Sequence, residues 1–265
     1  MKLHYTASVV ICLLALGGLT SSPAPSREQP SGSKTWIGHY QDVEAYLQTA
    51  ECVTVENFGS GPSVEAKPLA RRCVLPPGGP VKRMLWQAMT SGPYRGFKES
   101  PTGNLAAYEL DKLLQLDMLP PVVERDLLGH KGAATFWVEN AQAVTAEKPA
   151  DASERARWES QLARMAMFDN LIGNWERNPN NVIRDDRWNL VLLDHTRAFG
   201  TGTDLRYPMP EIDDDLWSRI VKLTRRQLDS SLARWLTPEE ITALVARREK
   251  IKAEINKQKR AATRR

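Results

Sequence analysis

The sequence predicts an α+β protein with two lobes, a small strand-rich lobe at residues 36–140 and a larger, mainly helical lobe at residues 141–265. Three observations support this class. Short apolar segments alternate with turn-forming residues between Cys52 and Asn140, which is typical of strands. From residue 152 onward the apolar residues recur instead at helical spacing. A chain of 265 residues, 42% of them hydrophobic, is also long enough to bury a substantial core.

The first 35 residues are predicted to lie outside that core. Lys2 and His4 precede an apolar run, Ala7 to Leu19, that is too short to span a bilayer and resembles a secretory signal peptide, assigned to residues 1–22. An uncleaved membrane anchor is the alternative. Residues 23–35 are rich in Pro and Ser and predict a flexible linker. We therefore expect an exported protein, periplasmic or extracellular, with no stable membrane span once the leader is removed.

Two cysteines, Cys52 and Cys73, remain after removal of the leader, and export would place them in an oxidising compartment. The run Gly59-Ser60-Gly61-Pro62 near their midpoint predicts a hairpin. The two cysteines would then face each other across the hairpin, where a disulfide could close. The alternative is a pair of small buried side chains in neighbouring strands.

The net charge of +4 is small, and much of the positive excess lies in the final stretch, KIKAEINKQKRAATRR. This local basic tail is better explained by a solvated helix end than by a nucleic-acid-binding face, which needs clustered basic surface. We therefore expect no nucleic-acid partner. The sequence carries no signal for an oligomeric state.

Each element of the first lobe has its own pattern. A helix is predicted for DVEAYLQTA, two strands for the region from Cys52 to Val74, and a third strand for VKRMLWQAM. A second helix is predicted for NLAAYELDKLLQLDML, ended by Pro120-Pro121. Two further strands, VVERDLL and AATFWVEN, flank a turn predicted at residues 129–132.

The second lobe begins with one long helix, ASERARWESQLARMAMFDNLIGN, which leads directly into the polar motif GNWERNPNN. The next segment, NVIRDDRWNLVLLDH, predicts a hairpin whose second strand ends at Asp194. Two helices follow. The last helix opens with a capping box at Thr237-Pro238-Glu239-Glu240, where Pro occupies the first helical position.

The polar motif and the hairpin together point to phosphoryl transfer. That reaction needs magnesium held against the phosphates and a carboxylate near the attacking hydroxyl. Glu176 and Asn181 are five residues apart, the separation of the catalytic base and the metal-binding Asn in kinase catalytic loops. The hairpin would bring Asp194 close to Asn181, so that the two side chains supply oxygen ligands for Mg²⁺. The alternative is a polar turn that leads into a surface hairpin.

The order of the lobes, together with Glu176, Asn181 and Asp194, resembles the protein-kinase-like superfamily. The phrases AAYELDKLL, MFDNLIGN and LLDHTRAF look most like uncharacterised bacterial proteins of its atypical branch, which includes phosphatidylinositol 3- and 4-kinases and HipA. The resemblance covers roughly residues 45–255. It implies a bilobal kinase-like fold, ATP and Mg²⁺ as cofactors, Glu176 as catalytic base, and Asn181 and Asp194 as metal ligands.

The same resemblance assigns residues of the first lobe to the nucleotide. Gln87 occupies the place of a strand Lys, and Asn104 that of its acidic partner; this pair can form a hydrogen bond but cannot neutralise phosphate charge. Gly59 and Gly61 are candidates for a phosphate-covering loop, although two glycines near a Pro also form ordinary turns. The backbone of Glu139-Asn140 is expected to meet adenine.

Two hypotheses follow. The first is a phosphotransferase that uses MgATP, with Glu176 in place of the usual aspartate base. The second is a pseudokinase, a non-catalytic binding or regulatory module with the same fold. The second hypothesis is favoured by three replacements of kinase residues: Gln87 for the Lys, Asn104 for its acidic partner and Glu176 for the Asp base. Asn181 and Asp194 favour retained binding of metal and nucleotide. The sequence does not identify a phosphate acceptor.

Overall fold

The computed structural model describes residues 33–58, 70–89, 92–94 and 97–264. It confirms the predicted α+β class, with a strand-rich sheet region followed by a mainly helical part. The predicted leader, most of the predicted linker, Gly59 and Gly61 lie outside the described residues. The boundary between lobes at residues 140 and 141 stays a prediction.

The sheet region contains five antiparallel strands in the order β1-β2-β3-β7-β6. Their bounds are β1 Thr54–Asn57, β2 Ala70–Val74, β3 Arg83–Ala88, β6 Val122–Leu127 and β7 His130–Phe136. A separate two-stranded sheet consists of β4 Gly92–Tyr94 and β5 Phe97–Glu99. Two helices, α1 Tyr40–Thr49 and α2 Thr102–Leu114, pack against the five-stranded sheet. Both helices and the predicted third strand are therefore confirmed.

Two predicted boundaries in this region were wrong. The turn between β6 and β7 lies at Leu128 and Gly129, both with positive φ, because Leu127 pairs directly with His130. Helix α2 ends at Leu114, and Gln115 caps it in the left-handed conformation, well before the prolines at 120 and 121. The Asp111 carboxylate stabilises this earlier end by accepting hydrogen bonds from the N–H groups of the segment that follows the helix.

A disulfide joins Cys52 and Cys73, with the two Cα atoms 5.5 Å apart. The sequence predicted that the two cysteines would lie directly opposite each other. They do not, because the ladder pairs Cys73 with Val55. Cys52 lies before β1, and the chain bends at Val53 to bring it to its partner. The bridge therefore ties the entry of β1 to the neighbouring strand β2.

The helical part is built around α3 Ala152–Ile172 and α6 Pro238–Thr263, with the shorter helices α4 Asp214–Ile220 and α5 Arg225–Leu232. The predicted capping box of α6 is present, with Thr237 accepting from the Glu240 N–H and Glu240 accepting from the Thr237 N–H. A three-stranded sheet, in the order β10-β9-β8, has the bounds β8 Gln142–Ala143, β9 Val182–Arg184 and β10 Leu190–Leu192. The predicted long helix and the hairpin after it are confirmed.

Residues 33–36, partly within the predicted linker, connect the two parts. Ser33 donates its N–H to the Asp185 carboxylate in the β9-β10 turn, at 3.1 Å. The buried Lys34 amine donates to the Asp117 carbonyl oxygen at 2.7 Å. Trp36 is fully buried in the hydrophobic cluster of the sheet region. Within the described ranges, no helix is both long and apolar enough to cross a membrane.

Candidate functional site

A cleft of about 490 Å³ lies between the sheet region and the helical part. Strands β3 and β7 line one side, and the other side is formed by the segments that flank the β9-β10 hairpin. Five residues predicted for the site lie in its walls: Gln87, Asn104, Asn140, Asn181 and Asp194. Residues far apart in sequence therefore share one cavity.

The β9-β10 hairpin brings Asn181 and Asp194 together at the cleft. Asn181 ends a 3₁₀ turn at Pro179–Asn181, and its carbonyl oxygen accepts from the Leu193 N–H at 2.8 Å. Its side-chain amide donates to Asp194 Oδ2 at 3.4 Å. Asp194 has a φ of 50°, and its other carboxylate oxygen accepts from the Thr196 hydroxyl at 2.6 Å. The two predicted metal ligands are therefore adjacent.

Gln87 and Asn104 are hydrogen-bonded to each other. The sequence predicted that this uncharged pair could form such a bond. Asn104 Nδ2 donates to Gln87 Oε1 at 3.2 Å. Asn104 Oδ1 accepts from the His195 N–H at 2.7 Å. The Asn104 side chain therefore links β3, α2 and the residue that follows Asp194.

A buried arginine holds the polar motif against the hairpin. Arg177 donates to both carboxylate oxygens of Asp169, at 2.8 and 2.7 Å, and the side chains of this pair are 6% and 1% exposed. It also donates to the carbonyl oxygens of Asn181 and Leu193, at 3.1 and 2.8 Å. Because a buried charge is costly without partners, this network fixes the loop geometry. Asp169 thus holds the loop in place through Arg177.

His195 completes the buried network in its neutral form. Its Nε2 lies 3.0 Å from Arg177 Nη2, and burial together with the charge of Arg177 holds the pKa of His195 well below its ordinary value. Arginine has no acceptor, so Nε2 accepts and the ring carries its proton on Nδ1. His195 therefore has a structural role in this network.

Glu176, the candidate base, does not line the cleft within the described part of the chain. Its side chain is 46% exposed and forms an ion pair with Arg197. Arg197 also contacts Glu99, with Nε 3.4 Å from Glu99 Oε1. Sequence reasoning did not find these contacts, because no local spacing relates the three residues.

The segment that follows β7 forms one end of the cleft. The predicted strand AATFWVEN ends at Phe136, and the Trp137 N–H donates to the Arg83 carbonyl oxygen at 3.1 Å. Asn140 lines the cleft with a φ of 54°, whereas the Glu139 side chain forms an ion pair with Arg83. Of the two predicted adenine-facing residues, only Asn140 therefore lies in the cleft wall.

The side chains near Asp194 offer oxygen donors to a metal. The described residues contain no group of three or more His, Cys, Asp or Glu side chains that could hold an ion on their own. An Asn and an Asp side chain nevertheless match the oxygen preference of Mg²⁺, which commonly takes one or two carboxylates and keeps several waters. This donor set fits a metal that is shared with a phosphate ligand.

No family model matches the chain, and no curated protein matches it. Solved structures do match. The chain is similar to the Golgi casein kinase with Mn and ADP bound, with a TM-score of 0.58, 14% identity, and coverage of 81% of this chain and 75% of the kinase chain. It is also similar to Fam20 from hydra, solved with a sugar, with a TM-score of 0.58, 16% identity, and coverage of 81% and 87%.

At these identities the likeness shows the fold, and that fold is kinase-like and bilobal. The neighbours have a kinase-like fold, so the kinase-like fold that the sequence-based resemblance implied is confirmed. The finer resemblance, to the phosphatidylinositol-kinase-like and HipA-like branch, is not confirmed by these comparisons.

Proposed function

We propose that this chain is a kinase-like protein that binds ATP with Mg²⁺ in the cleft between its two parts. The observation that carries the proposal is the contact between Asn181 and Asp194 within that cleft. A further argument comes from the similar Golgi casein kinase, whose structure contains Mn and ADP. Asn181 and Asp194 would hold the ion, and Asn140 would meet the adenine end.

The chemistry expected of the bound ion is neutralisation of the charge on the phosphates. The residues of the chain fix the pocket around it. Arg177 donates to the carbonyl oxygens of Asn181 and Leu193, and so fixes the backbone beside both proposed metal ligands. Asn104 Oδ1 accepts from the N–H of His195, the residue that follows Asp194. These groups are preorganised before a ligand arrives, which reduces the ordering cost of binding.

Transfer of the γ-phosphoryl group is the catalytic form of this proposal. Glu176 would accept the proton of the attacking hydroxyl, since its position in the motif is that of a kinase base. The acceptor molecule stays unassigned. An exported location of the protein is likewise a proposal, based on the leader-like N-terminus.

A pseudokinase is the second candidate function, and the Gln87-Asn104 hydrogen bond favours it. If the resemblance holds at these positions, that bond would replace the Lys-Glu ion pair of an active kinase. In this form the chain would bind nucleotide and act as a binding or regulatory module, without turnover.

The first test is the melting temperature of the protein with ATP, with and without Mg²⁺. Ligand at a hundred times its dissociation constant stabilises a folded protein by about 2.7 kcal/mol if only the folded state binds. We expect a Mg²⁺-dependent rise for the parent protein and none for Asp194→Ala. Asp204→Ala is a matched control, because Asp204 contacts Lys250 away from the cleft.

Equal shifts in the parent and in Asp194→Ala would contradict the assigned metal site. No shift in the parent would contradict nucleotide binding itself. Turnover separates the two candidate functions: phosphate release that Glu176→Gln lowers by about 10²- to 10⁴-fold supports the phosphotransferase, and binding without release supports the pseudokinase.

A further inference from the structure

Arg197 lies three residues after Asp194 and connects two carboxylates from different parts of the chain. One belongs to Glu176, in the loop after α3. The other belongs to Glu99, the last residue of β5. The Arg197 side chain is only 15% exposed, whereas Glu176 is 46% exposed. The better-buried guanidinium is therefore the fixed partner, and the Glu176 carboxylate is the group that it holds.

The backbone around Arg197 is also anchored. The Ser100 N–H donates to the Thr196 carbonyl oxygen at 2.8 Å. The Trp175 N–H donates to the carbonyl oxygen of Arg197 at 3.2 Å. Glu176 is thus joined to Arg197 through its side chain and through the backbone of the preceding residue. These contacts set the distance between the polar motif and the Asp194 loop.

A fixed partner matters because the motif carries Glu where kinases carry Asp. The extra methylene gives the carboxylate another rotatable bond, whereas a functional constellation tolerates only about 0.5 Å of misplacement. A charge-assisted hydrogen bond to arginine is directional and selects one of these rotamers.

We propose that Arg197 is a positioning residue that sets the Glu176 carboxylate for proton acceptance, and that Glu99 holds Arg197 in place. This inference rests on the proposed phosphotransferase function. With water as acceptor, the water oxygen forms a bond to the γ-phosphorus, and the bond from that phosphorus to the β-γ bridging oxygen breaks. ADP leaves with the bonding electrons, and the Glu176 carboxylate takes the water proton.

The test is phosphate release from ATP with Mg²⁺, with water as the acceptor. A general base contributes about 10²- to 10⁴-fold to a rate. We expect Arg197→Met to lower kcat by about tenfold, which is less than the full contribution of the base because Glu176 itself is still present, without changing KM for ATP. Arg197→Lys should recover part of the rate, and Glu99→Gln should lower kcat less than Arg197→Met does. Arg157→Met is the control, because Arg157 lies on α3 with contacts away from the cleft.

The decisive comparison is made in the Glu176→Gln background. A residue that acts through Glu176 loses its effect once the base is gone, so Arg197→Met should then leave the residual rate unchanged. An equal loss in both backgrounds would overturn the proposal. An increase in kcat for Arg197→Met would also overturn the proposal. It would mean that the ion pair holds the Glu176 carboxylate away from the position in which it accepts the proton.

Thermal shifts with ATP and Mg²⁺, measured on the same variants, separate this inference from the proposed function. Normal shifts with unchanged kcat in Arg197→Met would overturn the positioning role alone. Normal shifts without turnover in the parent protein would overturn the positioning role and leave nucleotide binding intact. No shift in the parent would overturn both.

Discussion

Asp111 is a fully buried carboxylic acid at the end of α2. One carboxylate oxygen accepts from the N–H groups of Met118 and Leu119, at 3.0 and 3.2 Å. The other oxygen is buried and has no hydrogen-bond partner among the residues that the structure describes. Burial raises the pKa of Asp111 to about 7. The folded protein therefore holds this proton far more tightly than the unfolded chain, in which the pKa is about 3.9.

The sign of the resulting pH dependence follows from proton linkage. Between about pH 4 and pH 7 the folded state binds more protons at Asp111, so the free energy of unfolding falls as the pH rises, by up to about 1.4 kcal/mol per pH unit. Asp111→Asn should remove this fall. Urea denaturation across that pH range measures the slope, with Asp126→Asn at an exposed site of β6 as the control. An unchanged slope in Asp111→Asn would contradict the assignment.

Lys34 contributes in the opposite direction and at higher pH. Burial lowers the pKa of its amine to about 8, against the attraction of Asp111. The unfolded chain binds this proton more tightly, so the contribution of Lys34 to the free energy of unfolding rises with pH between about 8 and 10.5. The two residues therefore act in separate pH windows.

The amino end of α2 and the loop after Asp194 form one packed unit. Gly103 faces the His195 carbonyl oxygen so closely that an added Cβ would clash with this backbone atom. The neighbouring contacts, from Ser100 to Thr196 and from Asn104 to His195, prevent the loop from moving away. The glycine is therefore required by close approach, since its φ is not positive.

Gly103→Ala should lower the free energy of unfolding by about 1–3 kcal/mol, the usual cost of overpacking. The better helix propensity of alanine, worth about 1 kcal/mol, offsets part of the clash. Urea denaturation measures the change, and the Mg²⁺-dependent ATP shift should weaken because the Asp194 loop is displaced. Gly202→Ala is a matched control, because no atom of the described residues lies within 4 Å of an added Cβ there. Equal stability of the two variants would contradict the packing argument.

Most elements of the fold were predictable because apolar spacing differs between helices and strands. Helix α3 and the β9-β10 hairpin were read from this spacing, and the hairpin placed Asp194 beside Asn181. The end of α2 was not predictable, because it depends on the Asp111 carboxylate meeting the backbone of a later segment. Local propensity carries no information about such contacts.

At the scale of the whole molecule, the sequence predicted the order of the two parts and the cleft residues that its motifs contain. It did not predict the ion pairs of Arg197 with Glu99 and Glu176, which depend on how the two parts meet. The buried position of Lys34 was missed for the same reason. Its neighbours in sequence are typical of a linker, and only its tertiary contacts account for it.

The Cys52-Cys73 bridge acts on the unfolding of the whole domain. It joins residues 21 positions apart, and closing a loop of this size stabilises by about 3 kcal/mol in the chain-entropy model. Replacing both cysteines by alanine should therefore lower the free energy of unfolding by about that amount, as measured with urea. A reductant should lower the midpoint of the parent protein and leave the double variant unchanged. Equal midpoints for the oxidised parent and the double variant would contradict this prediction.

The same bridge has a consequence for how molecules of this protein meet each other. Strand β1 is the edge of the five-stranded sheet, and the apolar side chains Val53, Val55 and Phe58 are 64%, 38% and 43% exposed. An exposed apolar edge is a template on which another chain can add a strand. The disulfide links the residue before β1 to β2, and it therefore restrains β1 from separating from its own sheet. We therefore expect the bridge to oppose aggregation through this edge, and a reducing environment to remove that protection.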